Sequence, residues 1–172
     1  VIGTYDSTGA PNGVTLAWSG IVSSGPASIG ISVRPGRYSY KNLMERSAFT
    51  VNFAPERYLA EMDYFGLASG RDVNKFEKTG LTAVRGDAVD APYIKEFPVN
   101  VECEVTHTLE LGAHTLFIGE IRGVKADEEI LDASGRIDIH AAGILTFDMT
   151  SGSYLLPGSS VGKAFSAGAQ FK

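Results

Sequence analysis

Hydrophobic positions fall into short β-branched runs divided by Gly, Pro and Ser: Val14 to Trp18, Ile29 to Val33 and Phe49 to Phe53. Between the last two lies a helix-like piece, Tyr38 to Arg46, so the order reads sheet, turn, sheet, helix, sheet. Val1 to Tyr5 predicts an opening strand, and the turn residues Asp6 to Gly9 make it one arm of a hairpin. Gly20 to Gly25 reads as a loop that Pro26 closes, and the nearly all-apolar Ala27 to Val33 as a central strand buried on both faces. Ser39 is the expected N-cap of the helix, with Leu43 on its inner face.

Farther along, Pro55 suits a helix's first turn, and Tyr58, Leu59, Met62 and Phe65 recur as on one helical face. A short helix follows within Arg71 to Lys78, capped by Asp72 and stopped before Gly80, and then irregular strand and loop to Pro98. Val99 to Leu111 and Thr115 to Ala126 alternate over the longest spans, with Val101, Cys103 and Val105 set against Glu102 and Glu104. They predict a long curled hairpin turning at Gly112-Ala113-His114, the kind that closes a small barrel. A turn at Asp132 to Gly135 and a final strand Ala142 to Met149 complete the pattern. The apolar residues of the Gly/Ser-rich tail, 154–172, are expected to lie against a second subunit. The whole, residues 1–172, reads as one mainly β domain, a barrel with a few flanking helices.

Composition narrows the chemistry. The 172 residues carry 20 acidic and 15 basic side chains, a net charge of −5, and no basic run of the kind that tracks phosphates, so nucleic acid is not an expected partner. Cys103 is the only cysteine and excludes an internal disulfide. Between two glutamates it reads as a core thiol rather than a nucleophile. No apolar stretch reaches the roughly 20 residues a membrane span needs, and no leader is visible. A soluble, cytoplasmic protein is the expectation; because Val1 already stands in a strand, a natural N-terminal segment is expected to precede it.

Familiar site motifs are lacking. Gly158 to Ala164 is one residue short of a phosphate loop between its glycines and has no Ser/Thr after Lys163, and no G-x-G-x-x-G joins a strand to a helix. The histidines, at 107, 114 and 140, have no metal-ligand spacing, and no G-x-S-x-G elbow is present. What remains is a set of small hydroxyls, amides and two arginines, Arg34 and Arg37, along the edges of the first strands, beside Trp18. Such a set can hold a ligand that is flat and aromatic at one end and anionic at the other. Taken alone, Trp18 reads as core and His114 as a turn residue.

In combination these pieces carry a resemblance. N-G-V-T-L-A-W (Asn12 to Trp18), R-P-G-R-Y-S-Y (Arg34 to Tyr40), F-T-V-N (Phe49 to Asn52), S-G-R-D-V-N-K-F (Ser69 to Phe76) and L-G-A-H-T-L-F-I-G-E (Leu111 to Glu120) occur in that order. Together they resemble the flavin reductase-like family, and within it most closely the flavoredoxin branch of the FMN-binding split barrels. The resemblance implies a split barrel, a homodimer, bound FMN, and NADH or NADPH as electron donor, with free flavin, a ferric chelate or a partner protein as acceptor. It further implies that Asn12, Thr15, Ala17, Trp18 and Ser19 run along the flavin, with Val51 and Asn52 bringing the next strand to its ring. Arg37, Ser39 and Tyr40 would lie near phosphate and ribityl, Arg34 would also contact the cofactor, and Ser69, Gly70, Arg71 and Lys75 would complete the anion site. His114 would act catalytically beside nicotinamide or flavin. Ala113 stands where relatives often carry an acid. The alternative reading is a flavin-binding electron carrier without its own nicotinamide site.

Overall fold

In a computed structural model, which describes residues 1–171, the chain order is β1 (Ile2–Tyr5), β2 (Pro11–Val14), β3 (Ser19–Ser24), β4 (Ala27–Val33), α1 (Tyr38–Arg46) and β5 (Ala48–Phe53). There follow α2 (Leu59–Leu67), α3 (Lys75–Thr79), the small hairpin β6 (Ala83–Arg85) and β7 (Pro92–Ile94), then β8 (Val99–Leu111) and β9 (His114–Ala126). The short α4 (Ile139–Ala142) and the hairpin β10 (Thr146–Asp148) and β11 (Ser153–Leu155) end the regular structure before a final 3₁₀ turn. No helix of the described residues is long and apolar enough to cross a membrane.

Seven strands form one antiparallel sheet in the order β2-β1-β5-β8-β9-β4-β3. The inward faces of six of them, with Leu43 of α1, close around Ile2, Val14, Ile29, Ile31, Val33, Phe49, Val51, Val101, Cys103 and Phe117. This is a barrel in its side chains, yet the two marginal strands, β2 and β3, do not pair with each other. The segment from Thr15 to Trp18 spans that gap. A second apolar layer, with Met62, Phe65, Phe76, Leu81, Ile94 and Phe97, packs α2, α3 and the small hairpin together.

Bulges in the long hairpin, between Glu102 and Cys103 and between Val105 and His107, bend it around the barrel. The alternation of β8 is kept, with Val101 and Cys103 in the barrel core and Val105 packed against it, but its opposite face is covered at Glu102. Glu102 is buried beside Cys103, where its carboxylate accepts from the amides of Ala88 and Val89 and pairs with Lys125 at 3.4 Å. Cys103 is inaccessible, and burial first, then the Glu102 charge, push its thiol up to about 12, which makes it inert as a nucleophile.

Several local expectations need correction. Gly20 to Gly25 is not a loop: Ser19–Ser24 pairs with β4 as an exposed strand, stabilised by its ladder rather than by burial. Conversely, strand structure ends at Val14, and Trp18 is 52% exposed. Ser39 does not cap α1. Arg37 occupies the cap position without a side-chain bond, because the Ser39 hydroxyl turns inward to accept from Asn12 Nδ2 at 2.8 Å. Asn74, not Asp72, caps α3 by accepting from the Glu77 amide. The expected single strand Ala142 to Met149 is divided by Gly143, in the left-handed region at φ 58°, into the end of α4 and β10. In the tail, Tyr154 donates to Asp63 of α2 at 2.7 Å, while Val161, Phe165 and Phe171 are exposed; Lys172 lies outside the described residues.

Candidate functional site: a cationic cleft and an aromatic rim

Where α1 begins, its first amides have no side-chain cap, and they open onto a cleft of about 170 Å³. Arg37, Tyr38 and Ser39 form one wall, Ser69, Gly70 and Arg71 the opposite one, with Asn12 and Lys75 deeper. A Cβ on Gly70 would collide with the Asn12 amide and the Tyr38 ring, so only glycine lets the two walls approach this closely. Tyr38 is held from behind, its hydroxyl donating to Asp6 at 2.9 Å.

The electrostatics of the cleft are one-sided. Lys75 is only 4% exposed, and its ammonium donates to the Phe65 carbonyl at 2.9 Å and faces the Phe65 ring at 5.7 Å. Arg71 donates to the Gly36 carbonyl at 3.1 Å. Among the described residues, none of Arg37, Arg71 and Lys75 forms an ion pair. Burial first, then the nearby Arg37 charge, lower the Lys75 ammonium from 10.5 to about 8. Three cations, a hydroxyl and an uncapped helix start, with no counter-charge, form a site complementary to a phosphate-like anion.

Of the predicted residues, Asn12, Arg37, Ser39, Ser69, Gly70, Arg71 and Lys75 converge here. Arg34, Trp18 and His114 form a separate group at the barrel rim. Arg34 Nε donates to His114 Nε2 at 3.4 Å, and the Trp18 and His114 rings stand edge to face with centroids 6.0 Å apart. Two residues lie between Arg34 and Arg37, and three between Val14, which lines the cleft, and Trp18, so cleft and rim are joined by two short spans of backbone on the order of 10 Å. Thr15 and Ala17 lie along one of them, with the Thr15 hydroxyl donating to the Met62 carbonyl, and Ser19 follows Trp18 as the first residue of β3.

The remaining residues of the predicted set line neither group. Val51 belongs to the barrel core. Asn52, beside it on the central β5, has its amide engaged by Val1, Thr50 and Ile94. Tyr40 packs edge-on to Phe117 at 5.6 Å. Gly36, Tyr38 and Ala68 line the cleft without having been singled out. Gly36 and Tyr38 flank Arg37 at the helix start, and Ala68 precedes Ser69, so contiguity was the signal for each.

A family model described as flavin reductase like domain matches residues 1–144. The chain belongs to the flavin reductase-like family. Among solved structures, this family member superposes on flavoredoxin of Desulfovibrio vulgaris (Miyazaki F) with a TM-score of 0.93 and 43% identity, over 97% of this chain and 90% of that one. Flavoredoxin of Methanosarcina acetivorans gives 0.92 and 31%, over 99% and 90%. An uncharacterized protein of Archaeoglobus fulgidus is 35% identical over 76% of this flavin reductase-like chain and 72% of its own length. The expected fold class is therefore the observed one, a mainly β split barrel of the flavoprotein type, with β2 and β3 as the edges of the split.

Proposed function

We propose that this flavin reductase-like chain binds FMN and is an oxidoreductase that moves reducing equivalents from NADH or NADPH to free flavin, a ferric chelate or a protein acceptor. The observation that carries the reading is the unpaired cationic cleft joined to an aromatic rim, which fits a ligand with a phosphate at one end and a flat ring at the other. In it Arg37, Arg71, Lys75, Ser39 and the first amides of α1 hold the phosphate, while Trp18 and the Thr15 to Ser19 segment flank the ring. When bound, FMN supplies acceptance of a hydride and release of single electrons. The protein contributes orientation and charge, and His114 a hydrogen bond at the rim. A cleft of about 170 Å³ is smaller than the roughly 300 Å³ at which ligand pockets usually begin, so the ring lies outside it. A second copy of the chain, forming a homodimer and covered by the apolar tail, closes the site from that side.

The second reading is an electron carrier without its own nicotinamide site. It is favoured by the 43% identity with flavoredoxin and by the cleft's accounting for one phosphate only. Two measurements decide. Heat-released ligand, identified by chromatography, is expected to be FMN at one per chain; FAD, or no flavin from protein expressed with ample flavin, overturns the proposal. Anaerobic mixing with NADH and with NADPH, followed by flavin absorbance, then separates the readings: bleaching supports the reductase, and persistent colour with both supports the carrier.

A further inference from the structure

The contact between Arg34 and His114 has a direction. In the antiparallel pairing of β4 with β9, Val33 lies opposite Thr115, so the next residue out on each strand, Arg34 and His114, also face each other. Arg34 Nε meets His114 Nε2 at 3.4 Å. A guanidinium nitrogen only donates, hence Nε2 accepts and the neutral ring carries its proton on Nδ1. Among the described residues Nδ1 has no acceptor, and the methyl of Ala113 cannot supply one. An imidazole free in water favours the other tautomer, with hydrogen on Nε2.

We infer that Arg34 is a positioning residue for His114: it selects the Nδ1–H tautomer and so leaves the ring one free donor for a carbonyl or carboxamide oxygen of an incoming electron donor or acceptor. Trp18, edge-on to the same ring, restricts its rotation. This rests on the role of His114 proposed above, but the tautomer is measured without any electron donor, so the two can fail separately.

The test is long-range ¹H–¹⁵N correlation on the flavin-loaded protein at about pH 8.5, well above the ordinary histidine range. The His114 signals are assigned by their loss in His114→Gln. The parent is expected to show Nδ1–H, and Arg34→Ala and Arg34→Met to show Nε2–H. A parent already in the Nε2–H form, or variants that keep Nδ1–H, overturns the inference. In stopped-flow reduction, Arg34→Ala should slow the limiting rate on the order of tenfold, the worth of one hydrogen bond, and Arg34→Ala combined with His114→Gln should be no slower than His114→Gln alone. Multiplying losses would show that Arg34 acts on the ligand directly and would refute the positioning role.

Discussion

Lys75 gives its ammonium to the backbone carbonyl of Phe65, ten residues earlier in the chain, and has no carboxylate partner among the described residues. A buried cation satisfied by one neutral oxygen is costly, and the cost is relieved when an anion enters. Charge-assisted contacts to phosphate are worth roughly 1.5 to 3 kcal/mol each. Arg71→Ala and Lys75→Ala should therefore weaken FMN about tenfold to a hundredfold while changing riboflavin affinity little. Equal losses for both ligands, by fluorescence titration, would mean that these residues support the fold alone.

The same lysine makes affinity and stability respond to pH with opposite signs. Between about 8, its value in the folded protein, and its ordinary 10.5, the unfolded chain binds more protons than the folded one. Lys75's contribution to the stability of the flavin-free protein thus rises across that window. Phosphate favours the ammonium, so binding takes up a proton, and FMN affinity falls as pH rises above about 8, by up to about tenfold per pH unit. A dissociation constant in the parent that is flat from pH 7 to 9.5, or as steep in Lys75→Met, would contradict this.

At the rim, His114→Ala is expected to keep FMN occupancy and melting temperature while slowing flavin reduction by NADH or NADPH about 10 to 10³-fold. Stopped-flow traces at saturating nicotinamide decide. Unchanged rates would leave His114 as no more than the first residue of β9.

In the barrel, a Cβ on Gly119 would stand 2.5 Å from Phe49 Cε1 and 2.9 Å from Cys103 Cβ. Overpacking of this kind costs about 1 to 3 kcal/mol, so Gly119→Ala should lower the melting temperature by roughly 2 to 10 °C with FMN affinity retained in the folded fraction. Calorimetry showing no shift would mean that β5 and β9 separate freely, against their shared core.

Much of this was legible in the sequence where burial and hydrogen bonding agree. β4 and the long hairpin alternate or run apolar because their side chains meet the core, and α1 has the expected bounds, Tyr38 to Arg46. The sequence SGIVSS hid β3 because the strand is exposed and exists through its ladder to β4, which no local pattern records. The alternation set Glu102 on the face opposite Val101 and Cys103, but its burial comes from the amides of Ala88 and Val89 folding over it, a contact distant in sequence. In the site, the resemblance brought the R-Y-S-Y and S-G-R segments to one anion site and the structure brings them to one cleft, whereas the separation of Arg34 from Arg37 into different groups depends on strand register across the barrel. Asn52 reads like a ligand amide, but three structural partners on a central strand already use it.

The gap between β2 and β3 has a consequence for how this architecture can change over generations. No ladder bond crosses this mouth, and the segment that spans it is held by the Thr15 hydroxyl on the Met62 carbonyl of α2 and by the Trp18 carbonyl, which accepts from the Ser32 amide of β4. Substitutions there can reshape what the mouth admits without unpicking a single strand. Ligand choice is thereby free to drift while the cylinder that supports it is inherited intact.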